Sequence, residues 1–241
     1  MENQEIVLVS DKVPAHVKTS SGLGNEEVST EHLQTPRVKL LQQLNNEVDE
    51  NHSEYIEGAK PGHFVNNITK ENYGTEMYVL NVRFTEDFVV WKKREFGGGL
   101  IGTYKTLQEA MDFMSAQSMD PEQHDVIQTH SHLLIEKNPK TGELGMPFIM
   151  DFSSSKLRVS RSWNSQIQTK GGDRFSVLWK LESVKKANRA GQQFYNLDVV
   201  EIGWSQEEDY NAAKELYESS RANGAALYSH GWGAEMLPTF L

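Results

Sequence analysis

The chain has 241 residues, a net charge of −10 and no cysteine. That length buries a self-sufficient core in one large domain, and the missing thiols exclude disulfides, zinc ribbons and cysteine nucleophiles. Nothing approaches the roughly 20 apolar residues of a membrane helix, and acids rather than bases precede the short run from Ile6 to Val9, so the chain reads as cytosolic with no signal peptide.

In chain order, residues 1–35 hold few apolar groups and the turn-forming stretch TSSGLGNEEVST. A flexible N-terminal arm is therefore expected ahead of a single domain over residues 36–241. PRVKLLQQLNNEV places Val38, Leu41 and Leu44 at helical spacing and is closed by EGAKPG, which predicts a first helix. EMYVLNVRF (76–84) and DFVVWKKREF (87–96) are rich in β-branched and aromatic residues and lie two residues apart, the pattern of a tight hairpin. The glycine-rich GGGLIG follows, and LIGTY reads as a strand or turn. Residues 106–117 predict a short helix. DVIQTHSHLLIEK (125–137) and MPFIMDF (146–152) predict strands joined across PKTGE.

In RFSVLWKLE (174–182), Phe175, Val177, Trp179 and Leu181 share one parity, the mark of a half-buried strand. Its partner FYNLDVVEIGW (194–204) follows SVKKANRAGQQ, a hairpin tip carrying Lys185, Lys186 and Arg189. Ser205 and Glu208 form the S-x-x-E capping box of a last helix that stops near Asn223–Gly224. The sum is α+β, with three or four helices and an antiparallel, OB-like β-barrel core, open or closed.

Marks of catalysis are thin. Gly97, Gly99 and Gly102 satisfy G-x-G-x-x-G, but a dinucleotide site needs a following helix, and here a strand or turn follows. No P-loop and no G-x-S-x-G is present. His124, His130 and His132 share a strand parity, yet the pattern supplies no carboxylate or further ligand to complete a metal site. The adjacent carboxylates Glu86–Asp87 and Glu207–Glu208 mark a turn and a helix start. The expectation is a non-enzymatic protein without catalytic residues, cofactor or metal.

Charge is more informative. Residues 151–200 carry nine bases against four acids, a basic island inside an acidic chain, and a partner that senses local potential meets the island. Bases and rings interleave at four places. These are Trp91, Lys92, Lys93 and Arg94 with Phe96; Lys156, Arg158, Arg161 and Trp163; Lys170 and Arg174 beside Phe175 at a Gly-Gly turn; and Lys185, Lys186 and Arg189 ahead of Phe194 and Tyr195. Cations for the sugar-phosphate backbone and π-faces for unstacked bases are what single-strand binding requires. Trp163 has a second reading, as the buried stripe of a helix with Leu157, Ser160 and Ile167. The expected site is a basic groove over residues 151–195, walled by the GGGLIG loop and the 184–193 hairpin tip.

The runs TPRVKLLQQL, EYIEGAKPGHF, VVWKKREFGGGLIGTY, SSSKLRVSRSWNSQI, KGGDRFSVLWKL and NRAGQQFYNLDVVEIGW, spread over residues 22–220, resemble a family of tailed-bacteriophage proteins, some of them single-stranded-DNA-binding. The resemblance implies a phage protein in the cytoplasm of the infected host, with single-stranded DNA and phage replication, recombination or transcription proteins as partners, and homo-oligomers among its states. It implies as the alternative a virion or assembly protein whose arm and basic face contact other proteins. The chain departs from the usual phage single-strand binder at its end, GAEMLPTFL, where Phe240 stands without an acidic tail.

Overall fold

The computed structural model describes residues 23–27, 34 and 36–222. Its longest element is strand β4 (Glu76–Lys92), seventeen residues whose β-branched and aromatic side chains suit a pleated surface with neighbours on both sides. β4 pairs with β6 (His124–Lys137) over most of its length, with β8 (Val177–Ala187) at its start and with β5 (Leu100–Tyr104) at its end. β7 (Leu144–Ser153) lies outside β6, and β9 (Gln193–Trp204) outside β8, giving the antiparallel order β7-β6-β4-β8-β9. A small antiparallel sheet contains β1 (Val38–Leu40), β2 (Phe64–Asn66) and β3 (Asn72–Gly74).

An irregularity between Asn81 and Arg83 changes the parity of β4. Asn81 lies opposite Leu134 and Phe84 opposite His132, so odd residues before the bulge and even residues after it face the same side. That side carries one core, in which Val38, Leu40, Phe64, Val79, Phe148 and Trp179 meet Trp163 of helix α2 (Leu157–Lys170). On the other side Leu80, Leu133, Ile135 and Phe175 pack against Ala213 and Leu216 of helix α3 (Glu207–Ala222). Helix α1 (Leu107–Ala116) covers the far end of β4 with Ala110 and Met114 against Val90, and a Thr106–Glu109 capping box starts it. The result is α+β, a mostly antiparallel sheet between helices.

The structure corrects several expectations. Residues 36–48 form β1 and a 3-10 turn (Asn46–Val48) rather than a helix. The V-x-L alternation of Val38 and Leu40 buries both residues while Leu44 stays 89% exposed, and pairing with β2 supplies the backbone partners a helix would have made internally. Residues 76–92 are one strand rather than a hairpin: Thr85 and Glu86 lack turn chemistry, and both stay in register with β6. Residues 94–96 form a 3-10 turn. Of the open and closed forms expected for the sheet, the described residues show an open strand path and no closed barrel. Lys185 and Lys186 lie within β8, so the hairpin tip is shorter than expected. Most of the 1–35 arm and the helix stop at Asn223–Gly224 lie outside the described residues.

Candidate nucleic-acid interface

Helix α2 follows a 3-10 turn at Ser154–Lys156 and has two unlike faces. Ser160 and Trp163 are fully buried, with Val159 and Ile167 packed on the core. Arg158, Arg161 and Ser162 stand exposed on the helix. These residues form one wall of an open groove of about 800 Å³, whose other wall is Lys186, Phe194, Asn196 and Asp198 from the β8–β9 hairpin.

The groove carries more cations than acids among the described residues that line it. Among the described residues Arg158 has no carboxylate within ion-pair distance, and Arg161 donates to Gln128 Oε1 at 3.1 Å while its charge also acts on Glu86. Only Lys186 is neutralised, by Asp198 at 3.2 Å. Lys156, next to this wall, is half-buried and makes no ion pair among the described residues. Burial pulls its ammonium below the ordinary lysine range, and the more distant Asp151 offsets this in part.

The remaining expected residues separate. Lys185 lies opposite Tyr195 and Lys186 opposite Phe194, and successive strand residues point to opposite faces, so Lys185 and Lys186 diverge. Arg189 is exposed in the loop beyond them. Tyr195 packs against the core. Lys170 pairs with Glu201 at 2.7 Å. Arg174 is half-buried, donating to Asn164 Oδ1 at 2.6 Å, with its guanidinium 5.4 Å from the Phe84 ring centroid. Trp163 offers no face to a base, because its ring is stacked on His132 inside the core, which agrees with the buried-stripe reading. Trp91, Lys92, Lys93 and Arg94 sit at the far end of β4. There Trp91 (40% exposed) faces Leu100 across the strands, and Lys93 Nζ donates to the Glu122 carbonyl. Neither these four residues nor the GGGLIG loop lines the groove.

Under α2 lies a polar cluster that sequence reasoning half-saw. His130 and His132 share a face, as expected, but the residue between them is Ser160. Its Oγ is 2.8 Å from His130 Nδ1 and 2.7 Å from His132 Nε2. Asn81 Nδ2 lies 2.9 Å from His132 Nδ1, and Glu86 Oε1 lies 3.2 Å from His130 Nε2. His124 is not part of it, and its Nδ1 contacts the Asp120 carbonyl. Burial first, then the charges of Arg174 and His130, holds the His132 imidazole well below its usual pKa. The H-x-H spacing marked the two rings, whereas no local signal marked Ser160 as their shared partner.

The family described as Pam3 phage gp34-like protein matches residues 3–226. The chain belongs to the Pam3 phage gp34-like family. It is therefore a bacteriophage protein, as the tailed-phage resemblance implied. No curated protein and no solved structure matches it. Among the described residues, no helix is long and apolar enough to cross a membrane.

Proposed function

We propose that this member of the Pam3 phage gp34-like family binds single-stranded DNA without catalysing a reaction, and serves phage replication, recombination or transcription in the host cytoplasm. The observation that carries the reading is the groove in which Arg158, with no carboxylate in ion-pair range among the described residues, and Arg161 stand opposite Phe194. Uncompensated cations attract phosphates and release their condensed counterions, and a half-exposed ring gives an unstacked base a surface. Asp198 tempers this, since its carboxylate holds Lys186 until a phosphate displaces it. The reading does not depend on an OB-like barrel, because a helix and a hairpin wall the groove.

The test is a salt titration of binding to oligo-dT by fluorescence anisotropy. The Arg158→Ala/Arg161→Ala double variant should flatten the plot of log K against log salt by about 1.4, or about 0.7 per lost contact on a single strand. An unchanged slope in a folded double variant removes the groove from the DNA path.

A different surface favours the assembly reading. Trp91, Phe96 (42% exposed), Leu100 (58%) and Ile101 cluster around the glycine loop, an apolar tip of the kind used in protein contacts. Co-purification with phage particles, lost on Leu100→Asp, is the outcome that supports it.

A further inference from the structure

Trp204 ends strand β9 and is 68% exposed, more than any other tryptophan among the described residues. A bulge aims it. Glu201 lies opposite Trp179 and Trp204 opposite Val177, two positions apart on β8 but three on β9, with Ile202 as the extra residue. Residues opposite one another across strands share a face, so Glu201 and Trp204 both project on the side where Val177 and Trp179 meet Trp163 of α2. In a regular strand, residues three apart point to opposite faces.

Helix α2 and strand β9 run side by side. Arg158, Ser162, Gln166 and Lys170 follow one another at four-residue intervals, which an α-helix sets in one row. The first three line the groove together with Phe194, near the start of β9. Lys170 lines a second open cavity, of about 550 Å³, together with Trp204 at the strand's end. Glu201, which lies on β9 between the groove residue Val199 and Trp204, holds Lys170 at 2.7 Å. This cavity is no phosphate site, because Lys170 is neutralised there and Glu207 adds a carboxylate to the lining. It presents instead a largely uncovered indole beside Gly171 and Gly172, which carry no side chains to obstruct it.

We propose that Trp204 is a second base-stacking platform, on which a single strand leaving the groove along α2 rests a nucleobase. The proposal rests on the single-stranded-DNA reading of the groove and extends it: arginines hold phosphates at one end, and the tryptophan takes an uncharged base at the other. A π-face serves any base and needs no positive charge. Phe194 and Trp204 stand ten positions apart on β9, about 30 Å at a rise of roughly 3.3 Å per residue less the bulge. A strand of sixteen nucleotides is long enough to lie on both rings.

The test measures binding of the full-length chain to dT16 by fluorescence anisotropy. Trp204→Ala should weaken binding about fivefold or more, the loss of one stacked base, with the slope of log K against log salt unchanged. Trp204→Phe keeps a ring and should retain most of the affinity. Both variants should melt like the wild type, since the side chain is exposed. Irradiation of dT16 carrying 5-iododeoxyuridine should crosslink the peptide that contains Trp204. Failure of the wild type to bind dT16, or an unchanged salt slope in Arg158→Ala/Arg161→Ala, removes the groove reading and this proposal with it. Wild-type affinity of Trp204→Ala, or no crosslink at its peptide, with the arginine effect intact, removes this proposal alone. Equal losses in Trp204→Ala and Trp204→Phe also overturn it, as does a lower sedimenting mass of the free Trp204→Ala chain, which would assign Trp204 to a contact between copies.

Discussion

Ser160 connects two buried histidines, and one set of donor and acceptor roles satisfies the whole chain of bonds. With the Asn81 amide donating to His132 Nδ1, His132 Nε2–H donates to Ser160, the hydroxyl donates to His130 Nδ1, and His130 Nε2–H donates to Glu86. Ser160→Ala leaves the His132 N–H buried and unpaired, so urea denaturation should show a loss of about 1–3 kcal/mol. The same burial predicts a pH dependence. The His132 pKa lies below its unfolded value of 6.5, so the unfolded chain takes up this proton first. The contribution of His132 to stability is therefore complete above that value and falls away as the pH drops below it toward the folded pKa. Melting temperatures should decline on acidification from pH about 7.5 to about 5.5, and less steeply in a folded His132→Gln variant. A steeper decline in the variant would contradict the assignment.

At the scale of elements, the β8–β9 hairpin makes the sharpest distinction. Lys185 and Lys186 are sequence neighbours with similar exposure, but they pair with Tyr195 and Phe194 on opposite faces. Lys186→Ala should therefore weaken oligo-dT binding and flatten the salt slope by about 0.7, whereas Lys185→Ala should leave the slope unchanged. Phe194→Ala should lower affinity with the slope nearly intact, since stacking releases few ions. Equal effects of the two lysine variants would show that long-range charge, rather than groove position, governs binding. Strand parity made this distinction available from sequence, but only once the strand was known to extend through Ala187.

On the scale of the whole molecule, residues 36–42 tie the sheet's two edge strands to one segment. The Ile149 amide of β7 donates to the Pro36 carbonyl, while Gln42 bonds both backbone groups of Tyr195 in β9, at 2.8 and 2.9 Å. Exposed strand edges invite pairing with other chains, and this segment occupies part of both. Gly62 makes the arrangement close: a Cβ there would lie 2.5 Å from Tyr195 Cε1, and its φ of +91° suits glycine. Gln42→Ala should cost about 1–2 kcal/mol in thermal or urea unfolding, from two lost hydrogen bonds. Hydrogen exchange should then speed up at Tyr195 before the centre of β4. Uniform exchange across both would mean that the segment adds nothing local.

The sequence by itself determined the α+β class, the α1 helix, strands β6 to β9 and the burial of Trp179, because periodicity and turn residues report local geometry directly. It also showed where positive charge is concentrated. Tertiary structure decided what depends on neighbours distant in the chain. Residues 38–40 became a strand because β2 supplies its hydrogen bonds, and β4 stayed unbroken because β6 accompanies it through Thr85 and Glu86. Trp163 lost its availability to the core, and the basic island divided into groove cations, the acid-paired Lys170 and the half-buried Arg174. The physical reason is common to all of these: burial, pairing and the approach of an opposite charge are properties of contacts between segments, and one-dimensional spacing does not encode which segments meet.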